Sequence, residues 1–221
     1  IATPLLAGAG SVLAAGGLAA LAAVAFVLAE PRHGTRDVIR QLTLAALAGL
    51  LGYLALAPPA AWEIRLSPYK PLSQARLRPE AQIIYQRWNA FSRVDVLRAS
   101  GLRSAPGLSL RYTETPAAQL GLFVDGEGPN PIHTEIEPQA LEPFGHAPEA
   151  LLYRLRPRAQ ALIIEPAGGA ALLAAQAGGA AQIVAAESNP LIVDAVEAVV
   201  PPAANPFSDT ALRELVLGGS R

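Results

Sequence analysis

Two stretches without a single charged residue, 1–29 and 41–62, constrain this chain more than any other feature of its sequence. A helix of about 20 consecutive apolar residues crosses the hydrocarbon core of a bilayer, and each stretch reaches that length. A soluble amphipathic helix would show a polar face recurring near every 3.6 residues. Here Ser11, Thr43 and scattered glycines interrupt the runs without forming such a face. A secretory signal would carry a basic start and a shorter apolar core. The pattern therefore predicts two transmembrane helices, over 2–29 and 41–61, within a membrane region spanning 1–62. Small residues at Gly8, Gly10, Ala14 and Gly17, with Gly49 and Gly52 in the second run, allow two helix backbones to approach closely. This predicts a packed hairpin or larger bundle, and the same faces offer an oligomer contact. The lipid bilayer is the first expected partner.

The apolar share of 52% is concentrated before Trp62. A net charge of −1, with no basic run interleaved with aromatics, argues against nucleic acid as a partner. The chain has no cysteine, and His33, His133 and His146 lack ligand-like spacing, so no metal is expected. Arginines occur between the two runs and again after the second, at Arg65, Arg76 and Arg78 with Lys70. In a hairpin those groups lie on opposite faces, and the positive-inside rule assigns no orientation. The chain begins with Ile and contains no Met; further residues are expected beyond it.

After Trp62 the composition turns to that of an α/β protein. Short β-prone runs at 82–85, 93–97, 108–112 and 119–124 are separated by Asn89, Ser100-Gly101, Pro106-Gly107 and Asp125-Gly126. This spacing predicts a small antiparallel β-subdomain over 63–128. Residues 128–148, rich in Pro and Glu, read as a loop leading into a helix over 149–155. An apolar run at 160–165 suits a buried parallel strand. It is followed by a turn at 166–169, a helix at 170–177 and a second strand at 181–186. Pro190 then opens a helix that continues to 199. The β-α-β-α succession predicts that 129–221 is the start of a Rossmann-like, methyltransferase-type parallel sheet, and an incomplete one.

In nucleotide-binding α/β folds a glycine-containing turn after the first strand lets a ligand approach backbone N–H groups. An acid about 20 residues later then bonds the ribose hydroxyls. Glu165, Gly168, Gly169 and Glu187 fit that arrangement and are the candidate cofactor-binding residues. The bland counterpart is a glycine turn with a solvated acid, which occurs in many folds without any ligand. Tyr69, Tyr85, Trp88 and Tyr112 suit either a pocket wall or a simple core.

These residues resemble the spermidine synthase-like proteins, in particular bacterial membrane members that carry this domain after several transmembrane helices. Ser67-Pro68-Tyr69-Lys70 looks like the Ser-x-Tyr-Gln entry of aminopropyltransferases, and Leu122-Phe123-Val124-Asp125-Gly126 like their Leu-x-Leu-Asp-Gly hairpin. His146-Ala147-Pro148 is similar to the His-x-Pro before the first strand. The run from Leu162 to Gly169 stands where the family has its Gly-Gly-Gly-Asp-Gly nucleotide loop, and Glu187 matches the ribose-binding acid. The resemblance covers about 62–221. It implies S-adenosylmethionine or its decarboxylated form as ligand, an amine as small-molecule partner, and substrate contacts from Tyr69, Asp125 and His146. It also implies a bacterial inner-membrane location with the soluble region facing the cytoplasm.

Two departures bear on the substrate. Lys70 replaces the family's glutamine, and Gly168 takes the place of the aspartate that contacts the aminopropyl amine. The family's catalytic aspartate lies after the fourth strand of its sheet, so the catalytic residues are left unassigned and this 221-residue chain is expected to be inactive by itself. The second strand is expected to lack its later neighbours. Three readings stay open: aminopropyl transfer to a polyamine, S-adenosylmethionine-dependent methyl transfer, and a non-catalytic membrane protein that retains the fold.

Overall fold

The structure, a computed structural model, describes residues 3–29, 35–59, 62, 65–90, 92–135, 137–208 and 212–217. Contacts divide the chain into two units, residues 1–65 with 88–90, and residues 66–87 with 91–221.

In the first unit, α1 (Thr3–Ala29) and α2 (Thr35–Leu56) pack against each other. At 1.5 Å per residue, their 27 and 22 residues extend about 40 and about 33 Å, and both are long and apolar enough to cross a membrane. The second helix departs from the sequence expectation of 41–61 at both ends. It starts at Thr35, because Arg36, Asp37 and Arg40 continue a helix beyond its apolar part. It stops at Leu56, because Pro58 disfavours helical backbone at Ala57 and Pro58 and Pro59 have no N–H to donate. The loop around His33 and the end of the expected span at residues 60–61 lie outside the described residues.

The helices meet along a seam of small residues spaced by sevens and threes. Gly10, Gly17, Ala20 and Val27 on α1 and Ala48 and Ala55 on α2 are buried. A Cβ at Gly17 would sit 3.6 Å from the Gly52 backbone nitrogen. The expected contact through Gly49 and Gly52 is refined by this register. A Cβ at either position would meet nothing within 4 Å, and their neighbours Ala48 and Ala55 occupy the seam. The surroundings of Gly8 lie outside the described residues. Gln41 Nε2 donates across the pair to the Val27 carbonyl at 3.4 Å, and Thr43 Oγ1 bonds back to the Ile39 carbonyl at 2.9 Å. Outward, the helices present Val12, Leu18, Leu21, Phe26, Leu42, Leu47, Leu50 and Leu56. Small residues inside and large apolar ones outside is the distribution that lipid permits and water penalises. The expressed chain should sediment with membranes and resist carbonate extraction; release without detergent would contradict this.

In the second unit, α3 (Pro71–Ala75) precedes a four-stranded antiparallel sheet of β1 (Gln82–Trp88), β2 (Arg93–Arg98), β3 (Gln119–Val124) and β4 (Glu127–His133), in the order β1-β2-β3-β4. Side chains alternate between faces along a strand, and both faces of the central strands are covered. Val94, Val96, Leu120, Leu122 and Ile132 join one core. Leu97 and Phe123 join another, with Leu72, Ala75, Ala99 and Leu102.

Two sequence expectations fail in this sheet. Residues 128–148 are not all loop, since β4 runs to His133. Gly128, Pro129 and Pro131 hid it, but β4 is an edge strand, where missing N–H donors are tolerated. The run at 108–112 is not a strand. Leu108 N donates to the Ala105 carbonyl and Tyr112 N to that of Ser109, while the Ser109 hydroxyl accepts from Arg111 N. These local turns compete with a ladder, and Leu110 is fully exposed.

After α4 (Pro138–Leu141), a 3₁₀ turn (Glu142–His146) and α5 (Glu149–Leu155) come the parallel elements. They are β5 (Gln160–Ile164), α6 (Ala170–Ala177), β6 (Gln182–Glu187), α7 (Pro190–Val199) and β7 (Leu212–Leu217). The α/β, Rossmann-like class read from the sequence is what is observed. The sheet order is β5-β6-β7, all parallel, the sequential winding of one half of a doubly wound sheet. The expectation that β6 lacks a later neighbour is overturned, because β7 pairs with it from Ile183↔Leu212 to Glu187↔Leu217. Helix α7 and β6 share the core with Val94, Val96 and Leu122, so the two sheets of this unit are one packed body. β5 is an edge strand, and its Leu162 and Ile164 side chains, on one face of the sheet, are about two-thirds exposed.

Candidate functional site

The C-terminal ends of β5 and β6 are where an open α/β sheet receives its ligand, and the four candidate cofactor residues converge there. β5 hands over to α6 through a sharply bent turn. Glu165, Ala167 and Gly169 all have positive φ, at 53°, 49° and 89°. Two of the three carry a Cβ, and such conformations persist where the surroundings over-determine them. Gly169 N bonds the Pro166 carbonyl at 2.8 Å and closes the turn.

Glu187, the last residue of β6, holds this turn in place. Its side chain is 1% exposed. Oε2 accepts from Ala167 N at 3.3 Å and Oε1 from Asn189 N at 3.0 Å. Asn189 caps α7 by accepting from Leu191 N at 3.2 Å, the usual role of an Asn before a helix that starts with Pro. Its amide also donates to Ser92 Oγ at 2.8 Å, tying the tip of β6 to the start of β2. Burial pushes the Glu187 carboxyl up to about 7. The backbone bond from Asn189 opposes that rise, and the adjacent Glu165 carboxyl reinforces it. Glu165 moves the other way: desolvation raises it, but hydrogen bonds with Glu187 and Ser188 outweigh that and bring it below the ordinary carboxylate value.

The glycines of the turn are enclosed. A Cβ on Gly168 would lie 2.3 Å from the Pro131 carbonyl oxygen, and one on Gly169 would lie 2.3 Å from Pro206 Cγ. Gly169 also bridges to Ile132 of β4. Their smallness is demanded by strand β4 and Pro206 pressing on the turn, in addition to any ligand.

A cavity of about 240 Å³ opens beside the turn, walled by Pro106, Leu108, Phe144, Pro166, Ala171 and Ala174. Gln119, His133, Glu149 and Glu165 also line it. Tyr69, Asp125 and His146 are not among its lining residues. Tyr69 is 90% exposed. Asp125 is a hairpin residue, with Oδ1 accepting from Arg93 N at 2.8 Å. His146 lies against the Tyr112 ring at a centroid distance of 5.2 Å. Lys70 is paired with Glu127 at 2.6 Å, so the hairpin's own acid occupies the cation that departs from the aminopropyltransferase pattern.

The sequence reading missed Gln119, His133 and Asn189. One signal pointed to His133: Asp125-Gly126 has positive φ at both residues, the two-residue hairpin turn for which Asp-Gly is a strong indicator. Such a turn requires a return strand.

No family model matches this sequence, and no curated protein matches it. Among solved structures it is similar to a spermidine synthase in complex with the transition state analogue AdoDATO, at 18% identity and TM-score 0.38 over 62% of this chain and 41% of that one. It is also similar to the spermidine synthase from Thermotoga maritima, at 18% identity and TM-score 0.39 over 61% and 40%. The chain spans about two-fifths of the length of each.

Proposed function

We propose that the second unit binds an adenosyl ligand of the S-adenosylmethionine type at the tips of β5 and β6, and that the helical hairpin anchors it to a bilayer. The observation that carries this reading is the placement of the Glu187 carboxylate beside the turn, bonded to Ala167 N. An ionised carboxylate has about four acceptor positions. Two are taken by Ala167 N and Asn189 N, which leaves acceptor capacity for the vicinal hydroxyls of a ribose once Glu187 is ionised. Gly168 and the strained turn then lie alongside the group that the ligand carries on its sulfur.

As to the transferred group, the sequence motifs favour aminopropyl transfer from decarboxylated S-adenosylmethionine to a polyamine. A specific observation favours methyl transfer from the intact cofactor instead. Gly168 supplies no carboxylate at the place where the aminopropyltransferase pattern has its aspartate. Detergent-solubilised protein should bind both adenosyl compounds. Product analysis in the presence of putrescine then separates the readings. Methylthioadenosine release signals aminopropyl transfer, S-adenosylhomocysteine release signals methyl transfer, and binding without either product signals a retained fold with lost chemistry. Failure to bind either compound would contradict the proposal.

A further inference from the structure

The cavity beside the turn has a floor built from two buried polar side chains that nothing in the adenosyl site uses. Gln119 and His133 face each other across the β3–β4 ladder and are 5% and 6% exposed. Gln119 Oε1 accepts from Ser104 N at 2.7 Å, which fixes the orientation of its amide. Its Nε2 therefore donates toward His133 Nε2, 3.4 Å away. A neutral imidazole that accepts at Nε2 carries its proton on Nδ1. The Phe144 ring lies against His133 at a centroid distance of 5.1 Å, and burial lowers the imidazole to about 4, so it is uncharged at neutral pH. Pro106, Leu108, Ala171 and Ala174 add apolar walls. The carboxylates that reach the cavity, Glu149 and Glu165, belong to exposed residues.

We propose that this cavity receives an acceptor group whose inner end is uncharged and largely apolar and takes one hydrogen bond from His133. The inference deepens the adenosyl reading, on which it rests for the identification of the cavity as the acceptor side of the site. An ammonium seated on this floor would lose its water and meet a neutral imidazole and a primary amide already engaged with its neighbours. Burying an unpaired charge is far costlier than burying a carbonyl that finds one donor.

The test uses the full chain in detergent micelles with labelled histidine, observed by NMR. Benzamide, which carries a neutral carbonyl on an apolar ring, should shift the His133 imidazole signals saturably. His133→Phe, which keeps a ring against Phe144, should weaken benzamide binding at least tenfold. If that variant does not fold, His33→Ala and His146→Ala assign the signals by elimination, and the wild-type titrations still decide. Benzamide leaving His133 unshifted would overturn the proposal. A parallel titration with S-adenosylmethionine separates the two claims: adenosyl binding without benzamide binding sinks this inference alone, whereas benzamide binding without adenosyl binding sinks the adenosyl reading and leaves the cavity a binding site that is not its acceptor side.

Discussion

Gly168→Ala is expected to destabilise the second unit by about 2–3 kcal/mol, the upper range for forcing atoms into a filled core, and to lower Tm by about 5–10 °C for a domain of this size. The added Cβ would lie 2.3 Å from the Pro131 carbonyl oxygen and 2.8 Å from its carbon. Backbone of a paired strand cannot rotate aside as a side chain would. Either β4 or the turn must move, and the turn carries Glu165 and Ala167 in left-handed conformations that the surroundings hold in place. Adenosyl binding should fall with the displaced turn. Gly145→Ala is the matched control, because a Cβ there meets nothing within 4 Å, and its stability should stay within about 0.5 kcal/mol of the parent. Equal denaturation curves for Gly168→Ala and the parent would show that the turn is not packed on β4 as described.

The second large effect concerns Glu187. Removing its carboxylate in Glu187→Ala leaves the Ala167 and Asn189 N–H groups without their acceptor, and each unsatisfied buried donor costs about 1–3 kcal/mol. A loss of about 2–4 kcal/mol is expected. The pH dependence has a definite sign. The folded-state value of about 7 lies above the ordinary 4.5, so between those values the native state keeps a proton that the unfolded chain has released. Stability from this group therefore falls as pH rises from about 4.5 to about 7 and is flat beyond. Glu165, lowered in the folded state, contributes stability that is present above its unfolded value and lost on the acid side. In Glu187→Gln the fall between pH 4.5 and 7 should disappear; an unchanged slope in denaturant titrations across that range would refute the raised Glu187 carboxyl.

How far the sequence carries is clearest at particular residues. The charge-free runs marked α1 and α2 because length and the absence of a polar face are properties of the sequence itself; their register was not legible, since Ala48 and Gly49 differ only in which way the helix is turned. The β5-α6-β6-α7 succession was legible from apolar runs, the turn at 166–169 and Pro190. β7 was not, because Leu-Arg-Glu-Leu-Val-Leu suits a helix as well as a strand, and only pairing with β6 makes it a strand. The acid at Glu187 could be placed by spacing. Its burial, its grip on the Ala167 N–H and its link through Asn189 to Ser92 depend on contacts between elements 97 residues apart in sequence, which no local pattern encodes.

The most direct test of the adenosyl reading is calorimetric titration of S-adenosylmethionine into the solubilised full chain and its Glu187→Gln variant, at a pH where thermal unfolding shows both to be folded. The wild-type protein should bind saturably, and the variant should lose about 1.5–3 kcal/mol, the scale of a hydrogen bond to a charged group. Equal affinity in the folded variant, or no binding by the wild-type protein, would contradict the account.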